Sequence, residues 1–291
     1  MESGDLRVFQ AVAEEGSITK AARRLGYVQS NVTARIRQLE SDLQTVLFHR
    51  HRRGMTLTSG GKALLAYANQ IIGLLDVAAK AVSSLNEPRG PLAIGSTQTC
   101  AAVRLPGILA RYHRQYPEVE LSLTTGNTAA MIDQILRYEV DGAFLSGPYD
   151  GEELTGIPMF EEEIALVSET GVRTLEEAAA KPILVFADGC SYRAVLEEWL
   201  KRNTWKKPQI MEFGTLETIV GGVAAGLGIT LLPLAVAARG VAEGRLRTHE
   251  FPRENRRIVT HFVMRKDVFV SRPLRLFLDL LEQSRELAPA P

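Results

Sequence analysis

The sequence predicts an α/β chain with an N-terminal winged helix-turn-helix, a long dimerisation helix and a C-terminal effector domain of two α/β lobes. Three observations carry that prediction. Short amphipathic segments punctuated by glycine fill the first sixty residues, an apolar repeat alternating steps of four and three follows, and strands then alternate with helices. The expected divisions are residues 1–58 for the helix-turn-helix domain, 59–87 for a coiled-coil linker helix and 88–291 for the effector domain. Within the last, one lobe takes about 91–161 with 266–291 and the other about 162–265.

A chain of 291 residues is long for one domain, and its 45% hydrophobic content excludes a disordered polymer. Cys100 and Cys190 are too few for a disulfide framework and lack the clustering of a structural zinc site, which fits a reducing cytoplasm and predicts no metal and no cofactor. The start, MESGDLRVFQ, carries early acids and no continuous apolar run, so it reads as neither signal nor transit peptide. Ile219 to Ala238 is uncharged over a membrane-spanning length. Gly221, Gly222, Gly226, Gly228 and Pro233 break it into helix, turn, strand and turn, so no membrane partner is expected.

Zero net charge conceals an asymmetry. Between Ser17 and Lys62 nine basic residues face two acids, so the rest of the chain is correspondingly acidic. A basic head on an acidic body is the footprint of a nucleic-acid module joined to something else.

Leu6, Phe9, Val12 and Ala13 share one helical face, and Gly16 ends that helix before Ser17 caps the next. Ile18, Ala21, Ala22 and Leu25 make the second stripe, which stops at Gly26; Ser30 is the expected cap of a third helix with the stripe Val32, Ile36, Leu39 and Leu43. That is a helix-turn-helix. With the stripe inward, Ser30, Thr33, Ala34, Arg37 and Gln38 point outward and Asn31 and Arg35 flank them, a short cationic face suited to a major groove. Arg50, Arg52 and Arg53, then Gly54 and the β-prone Met55 to Leu57, read as a wing lying along phosphates. Beyond Thr58, the series Leu64, Ala68, Ile71, Leu75, Ala78, Val82 and Leu85 has the heptad period of a coiled coil, and a second copy of the helix is its expected partner.

Two segments, FQAVAEEGSITKAARRLGYVQSNVTARIRQLE and LFHRHRRGMTLTSGG, resemble the winged helix-turn-helix of LysR-type transcriptional regulators. The second matches that family through Leu47, Phe48, Arg50, Arg53, Leu57, Thr58 and Gly61. The likeness extends along the whole chain, including the late GLGITLLP at Gly226 to Pro233. It implies DNA contacts at Gln29, Ser30, Thr33 and Arg37, with Arg53 from the wing. It also implies a periplasmic-binding-protein-like effector half, double-stranded operator DNA and RNA polymerase as partners, and a homodimer assembling into a homotetramer. This sequence departs from many members at Ala34 and Arg35, where they carry arginine then glutamine, so base preference does not transfer. Gly60 replaces an alanine.

NEPRGP, Asn86 to Pro91, breaks helix and marks the boundary. Beyond it PLAIGS, VELSLTTG and DGAFLSG read as strands of a parallel sheet, separated by the helices TQTCAAVRLPGILARYHRQYP and MIDQILRYEV. EIALVSE, PILVFA, QIMEFG and ITLLP supply the second lobe. Ligands in such lobes sit beyond the carboxyl ends of strands, against helix N-termini. Those ends carry Ser96, Thr97, Gln98 and Thr99, then Asn127 and Thr128, then Cys190, Ser191 and Tyr192, then Gly214 and Thr215. Arg104 and Arg193 are the nearest cations and point to an anionic small-molecule effector. Each hydroxyl could instead merely cap its own helix.

Enzyme chemistry finds no foothold: the five histidines have no ligand spacing, and no Walker loop, H-E-x-x-H or G-x-S-x-G occurs. Four alternatives to an effector-modulated regulator stay open. They are a thiol- or metal-responsive regulator using Cys100 and Cys190, a non-regulatory solute-binding protein, an enzyme built on a two-lobed α/β scaffold, and a sequence-blind architectural DNA binder.

Overall fold

A computed structural model of the chain describes residues 1–51, 54–83, 88–202, 209–251 and 256–286. These divide into two compact units, the first comprising Met1–Ser83 with Leu136–Glu139 and the second the remaining described residues.

In the first unit α1 (Ser3–Glu15), α2 (Ile18–Leu25) and α3 (Gln29–Asp42) precede a hairpin of β1 (Phe48–His51) and β2 (Gly54–Leu57), and α4 (Ser59–Ser83) follows. Gly16 and Gly26 end their helices in the left-handed conformation, and Ser17 Oγ caps α2 by accepting from Lys20 N. The third helix starts earlier than expected. Val28, not Ser30, is its N-cap and offers no side-chain bond, so extended backbone geometry alone sets the start. Val32, Ile36 and Leu39 are fully buried, with Leu6, Phe9 and Val12 in the same core; burial of each such side chain contributes about 1.5–3 kcal/mol. Leu43 falls at the helix terminus and stays exposed.

Along α4 the apolar residues divide between two faces. Ala68 and Ile72 are buried in the unit's own core, with Leu64 and Leu65 packed beside them, while Tyr67, Ile71, Leu74 and Leu75 are exposed. The expected heptad series therefore straddles two surfaces; Leu64 and Ala68 serve the domain core. Val82 lies where only the backbone is described, and Leu85 outside the described residues.

The second unit contains β3 (Gly90–Thr97), α5 (Gln98–Val103), α6 (Leu105–Gln115), β4 (Val119–Gly126), α7 (Thr128–Leu136), β5 (Gly142–Ser146) and β6 (Leu154–Glu169). After these come α8 (Leu175–Ala179), β7 (Ile183–Val185), α9 (Ser191–Arg202), β8 (Ile210–Glu212), α10 (Leu216–Ala224), β9 (Thr230–Pro233), α11 (Leu234–Ala242), β10 (Leu246–His249), β11 (Arg257–Arg265) and α12 (Arg272–Glu286). The sheet is mixed, not purely parallel. β3 runs parallel to β4 and β5, but β5 meets β11, and β11 meets β6, antiparallel. One long helix was expected after β3; it is broken at Arg104, because Pro106 lacks an N–H and enters only at the start of a new helix.

β6 is the element the sequence concealed. Its first half pairs with β11 in one lobe, and its second half pairs with β9 and β10 in the other. Opposite Thr260 and His261 the register slips from Phe160 to Pro158, so Met159 is one residue more than β11 can pair. The uncharged stretch from Ile219 becomes α10, β9 and α11, and no helix among the described residues is long and apolar enough to cross a membrane.

Candidate functional site

Two surfaces carry the residues singled out by the sequence. On the first unit, Ser30, Asn31, Arg37 and Gln38 are exposed on α3, with Gln29 at its start. Thr33 donates its hydroxyl to Gln29 O at 2.9 Å, and Thr19 Oγ1 donates to Gln29 Oε1 at 3.3 Å, which joins the first turn of α3 to α2.

The two arginines of this helix differ. Arg37 is exposed and makes no ion pair within the described residues. Arg35 turns back: Nη1 donates to Asp5 Oδ1 at 2.9 Å, Nε to Asn31 Oδ1 at 3.1 Å, and the guanidinium lies 5.9 Å from the centre of the Tyr27 ring. It fixes α3 against α1 and is not free to meet a groove, contrary to the expectation from helical phase.

In the wing, Glu40 Oε1 accepts from Leu47 N and Phe48 N, tying β1 to α3, and Arg50 stands 3.9 Å from the same carboxylate. Met55 N donates to Gly16 O, which seats β2 on the turn between α1 and α2. Arg52 and Arg53 lie outside the described residues.

On the second unit, a small pocket is lined by Thr97, Gln98, Thr99, Gly126, Asn127, Thr128, Ser146, Phe186, Cys190, Ser191 and Tyr192. The carboxyl ends of β3, β4, β5 and β7 therefore converge. Eight of the twelve expected effector residues line it. Ser96 lies buried behind, its hydroxyl donating to Thr97 O. Gly214 and Thr215 stand off the lining but are reached through Gln98, whose Nε2 donates to Gly214 O and whose Oε1 accepts from Leu216 N, both at 2.9 Å. Thr215 Oγ1 caps α10 by accepting from Thr218 N.

Arg104 does not face the pocket. Its Nε donates to Glu162 Oε1 at 3.0 Å and its guanidinium stacks 5.3 Å from the Phe160 ring centre. Arg193 is likewise occupied by Asp188, Glu197 and Glu212, and it donates to Phe186 O. The cationic basis for an anion site disappears with both.

Direct bonds span the pocket between lobes. Thr128 Oγ1 and Ser191 Oγ share a hydrogen bond of 3.2 Å, Ser191 Oγ donates to Ser146 O at 2.5 Å, and Asn127 Nδ2 donates to Asp188 O at 2.7 Å. Gly189, at φ +89°, allows this approach: a Cβ there would stand 2.6 Å from that of Ala129. Deeper in, the Tyr192 hydroxyl lies 3.2 Å from Ser146 Oγ and 3.4 Å from Thr99 Oγ1, and Ser146 Oγ is 2.9 Å from Thr260 Oγ1 on β11. Burial pushes the Tyr192 phenol well above its ordinary range.

Ser146 and Phe186 were missed by the sequence reading. Both follow from the rule that found the others, since Ser146 is the last residue of β5 and Phe186 follows PILV at the end of β7. Burial raises the Cys190 thiol and pushes that of Cys100 up to about 12, away from the thiolate that redox sensing requires.

A helical head with a small wing, followed by two lobes around a polar pocket, defines a ligand-responsive DNA-binding protein in architecture. Residues 3–62 match the family described as bacterial regulatory helix-turn-helix protein, lysR family, and residues 85–286 match the LysR substrate binding domain. The chain belongs to the LysR family of transcriptional regulators. It is 59% identical over 279 residues to the uncharacterized HTH-type transcriptional regulator YusT of Bacillus subtilis (strain 168), spanning 96% of this chain and 95% of that one. To the HTH-type transcriptional regulator SoxR of Arthrobacter sp. (strain TE1826) it is 46% identical, spanning 99% of each. Its fold resembles that of CbnR, a LysR family transcriptional regulator, with TM-score 0.70 and 21% identity over 98% of this chain and 99% of that one. CbnR in complex with its target DNA gives TM-score 0.68 and 22% identity over 98% and 100%.

Proposed function

We propose that this regulator reads operator DNA through the first turns of α3 and the wing, and that a small molecule held in the pocket of the second unit alters that binding. The convergence of four strand ends on one pocket is the observation that carries the second half. Gln29, Ser30, Asn31, Thr33 and Arg37 are the proposed base and backbone contacts, with Arg50, Arg52 and Arg53 on flanking phosphates. Residues 1–58, 59–87 and 88–291 serve as reading head, linker and effector domain.

The exposed Tyr67, Ile71, Leu74 and Leu75 on α4 support pairing with a second copy, which would present two reading heads to two half-sites. Pairs of such dimers forming a tetramer, contact with RNA polymerase and action in the cytoplasm complete the proposal. Catalysis forms no part of it.

The test is fluorescence anisotropy of full-length protein with the DNA upstream of its own gene and with a scrambled duplex, before and after adding any compound that raises the melting temperature. A ligand at about 100 times its dissociation constant adds about 2.7 kcal/mol, ample for detection. Preference for the upstream DNA that shifts with the compound supports the proposal. Equal, weak binding to both duplexes counts against it.

A further inference from the structure

We infer that Val28 is a base-reading residue: its isopropyl group meets the C5 methyl of a thymine in the major groove, so the DNA sequence this regulator prefers holds a thymine recognised by apolar contact. This rests on the reading of α3 as the helix that enters the groove, and adds one residue and one base to it.

Val28 stands immediately before α3 and is 68% exposed, the most exposed large apolar side chain among the described residues. Its backbone is fixed from both sides. Tyr27 N donates to Ala22 O at 2.9 Å behind the left-handed Gly26, and Val28 O accepts from Asn31 N at 3.0 Å and Val32 N at 3.4 Å to open the helix. The isopropyl group is therefore held out at the leading end of α3, the part of a recognition helix that lies against base edges. Polar groups beside it are partly taken up inside the protein, Gln29 Oε1 by Thr19 and Asn31 Oδ1 by Arg35.

A second observation is independent of exposure. The position is an N-cap, where serine, threonine, aspartate or asparagine stabilises the helix by accepting from a first-turn N–H and valine ranks among the poorest choices. Val28 makes no such bond. Nor does a side chain this exposed return the loss through packing in the core. A local rule broken without structural compensation marks a functional position. The chemistry of the groove then names the partner, because the thymine methyl is the only apolar group among those that base pairs display there.

In the experiment, full-length protein selects a preferred duplex from a random pool. Anisotropy then compares that duplex with copies in which single thymines are replaced by deoxyuridine, which lacks only the C5 methyl, for wild type and for Val28→Ser. At one thymine of each half-site, loss of the methyl should weaken wild type about fourfold, the worth of one buried methyl. Val28→Ser should bind the thymine duplex at least about fourfold more weakly than wild type and ignore the methyl at that position, while its response to every other thymine is unchanged. Its melting temperature should equal or exceed that of wild type, because serine caps where valine does not. Wild-type affinity that no single deoxyuridine alters, a variant that keeps every methyl dependence, or a variant that melts below wild type overturns the inference. A pool from which no sequence is enriched overturns the operator reading itself, whereas a preferred duplex without this coupling overturns only the role of Val28.

Discussion

Arg35 and Arg37 stand two residues apart on one helix, and the structure assigns them opposite behaviour on truncation to alanine. Arg35 is 37% exposed and bonds to Asp5, which is 14% exposed, so its loss leaves a carboxylate short of a partner. A hydrogen bond to a charged group contributes about 1.5–3 kcal/mol when buried; screening at this half-open site reduces that to about 1 kcal/mol. For a unit of this size such a loss lowers the melting temperature by about 4–8 °C. Arg37 has no such bond to lose, and its truncation should alter stability by less than about 0.5 kcal/mol. On DNA the order reverses: Arg37→Ala should cost about 1–3 kcal/mol if the guanidinium meets a base, or lower the salt slope by about 1 if it meets a phosphate. Thermal melts combined with anisotropy over a salt series measure both. If Arg35→Ala melts like wild type yet loses DNA affinity as Arg37→Ala does, the assignment of Arg35 to the α1–α3 junction is wrong.

Further outcomes are specific to single residues. Gly61→Ala places a Cβ 2.2 Å from Leu47 O, a backbone atom that cannot step aside, and should destabilise the first unit by about 2–4 kcal/mol in denaturant melts; a loss under about 0.5 kcal/mol would contradict the tight seating of α4. Gln98→Leu removes both bonds to Gly214 and Leu216, and amide exchange at the start of α10 should accelerate, with no acceleration meaning that the clamp is inert. Native protein at pH 8 should react slowly with a maleimide at Cys100 and Cys190, and rapidly once unfolded; stoichiometric labelling of the native state would revive the thiol-sensing alternative. The pH dependence follows from the same burial. The folded Cys100 thiol keeps its proton up to about 12 while the unfolded one releases it from about 9, so stability is intact below 9 and falls between those values; Cys100→Ala should flatten that decline.

The head of the molecule was readable because helical period and glycine stops are local signals: Gly16 and Gly26 sit where the sequence placed them. The start of α3 was misplaced because a valine cap leaves no polar signature. Strand ends rich in hydroxyls were legible as a site, since each such end precedes a helix start. Charges near them misled, because the partner of Arg104 is Glu162, 58 residues away in sequence and inside a run of three acids that looks like a surface loop. That run belongs to β6, and its true role depends on Arg256, Arg257 and Arg104 arriving from elsewhere in the chain. The α4 stripe was over-read for a related reason: periodicity locates an apolar face but cannot apportion it between the domain's own core and a partner.

The surplus residue at Met159 has a consequence for how this domain tolerates change in length. Side chains along a strand alternate between faces, so every position of β6 on one side of the bulge is out of step by one with a straight count from the other. Removing Met159 would restore an even ladder with β11 while both halves of β6 keep their present partners and faces, because the bulge already absorbs the odd residue; the loss is that of the buried Met159 side chain itself. Chain length at this crossing therefore has one residue of slack: loss of the odd residue leaves both lobes in phase, whereas a two-residue deletion would slip one half of β6 by a place against β11 and exchange its buried and exposed rows.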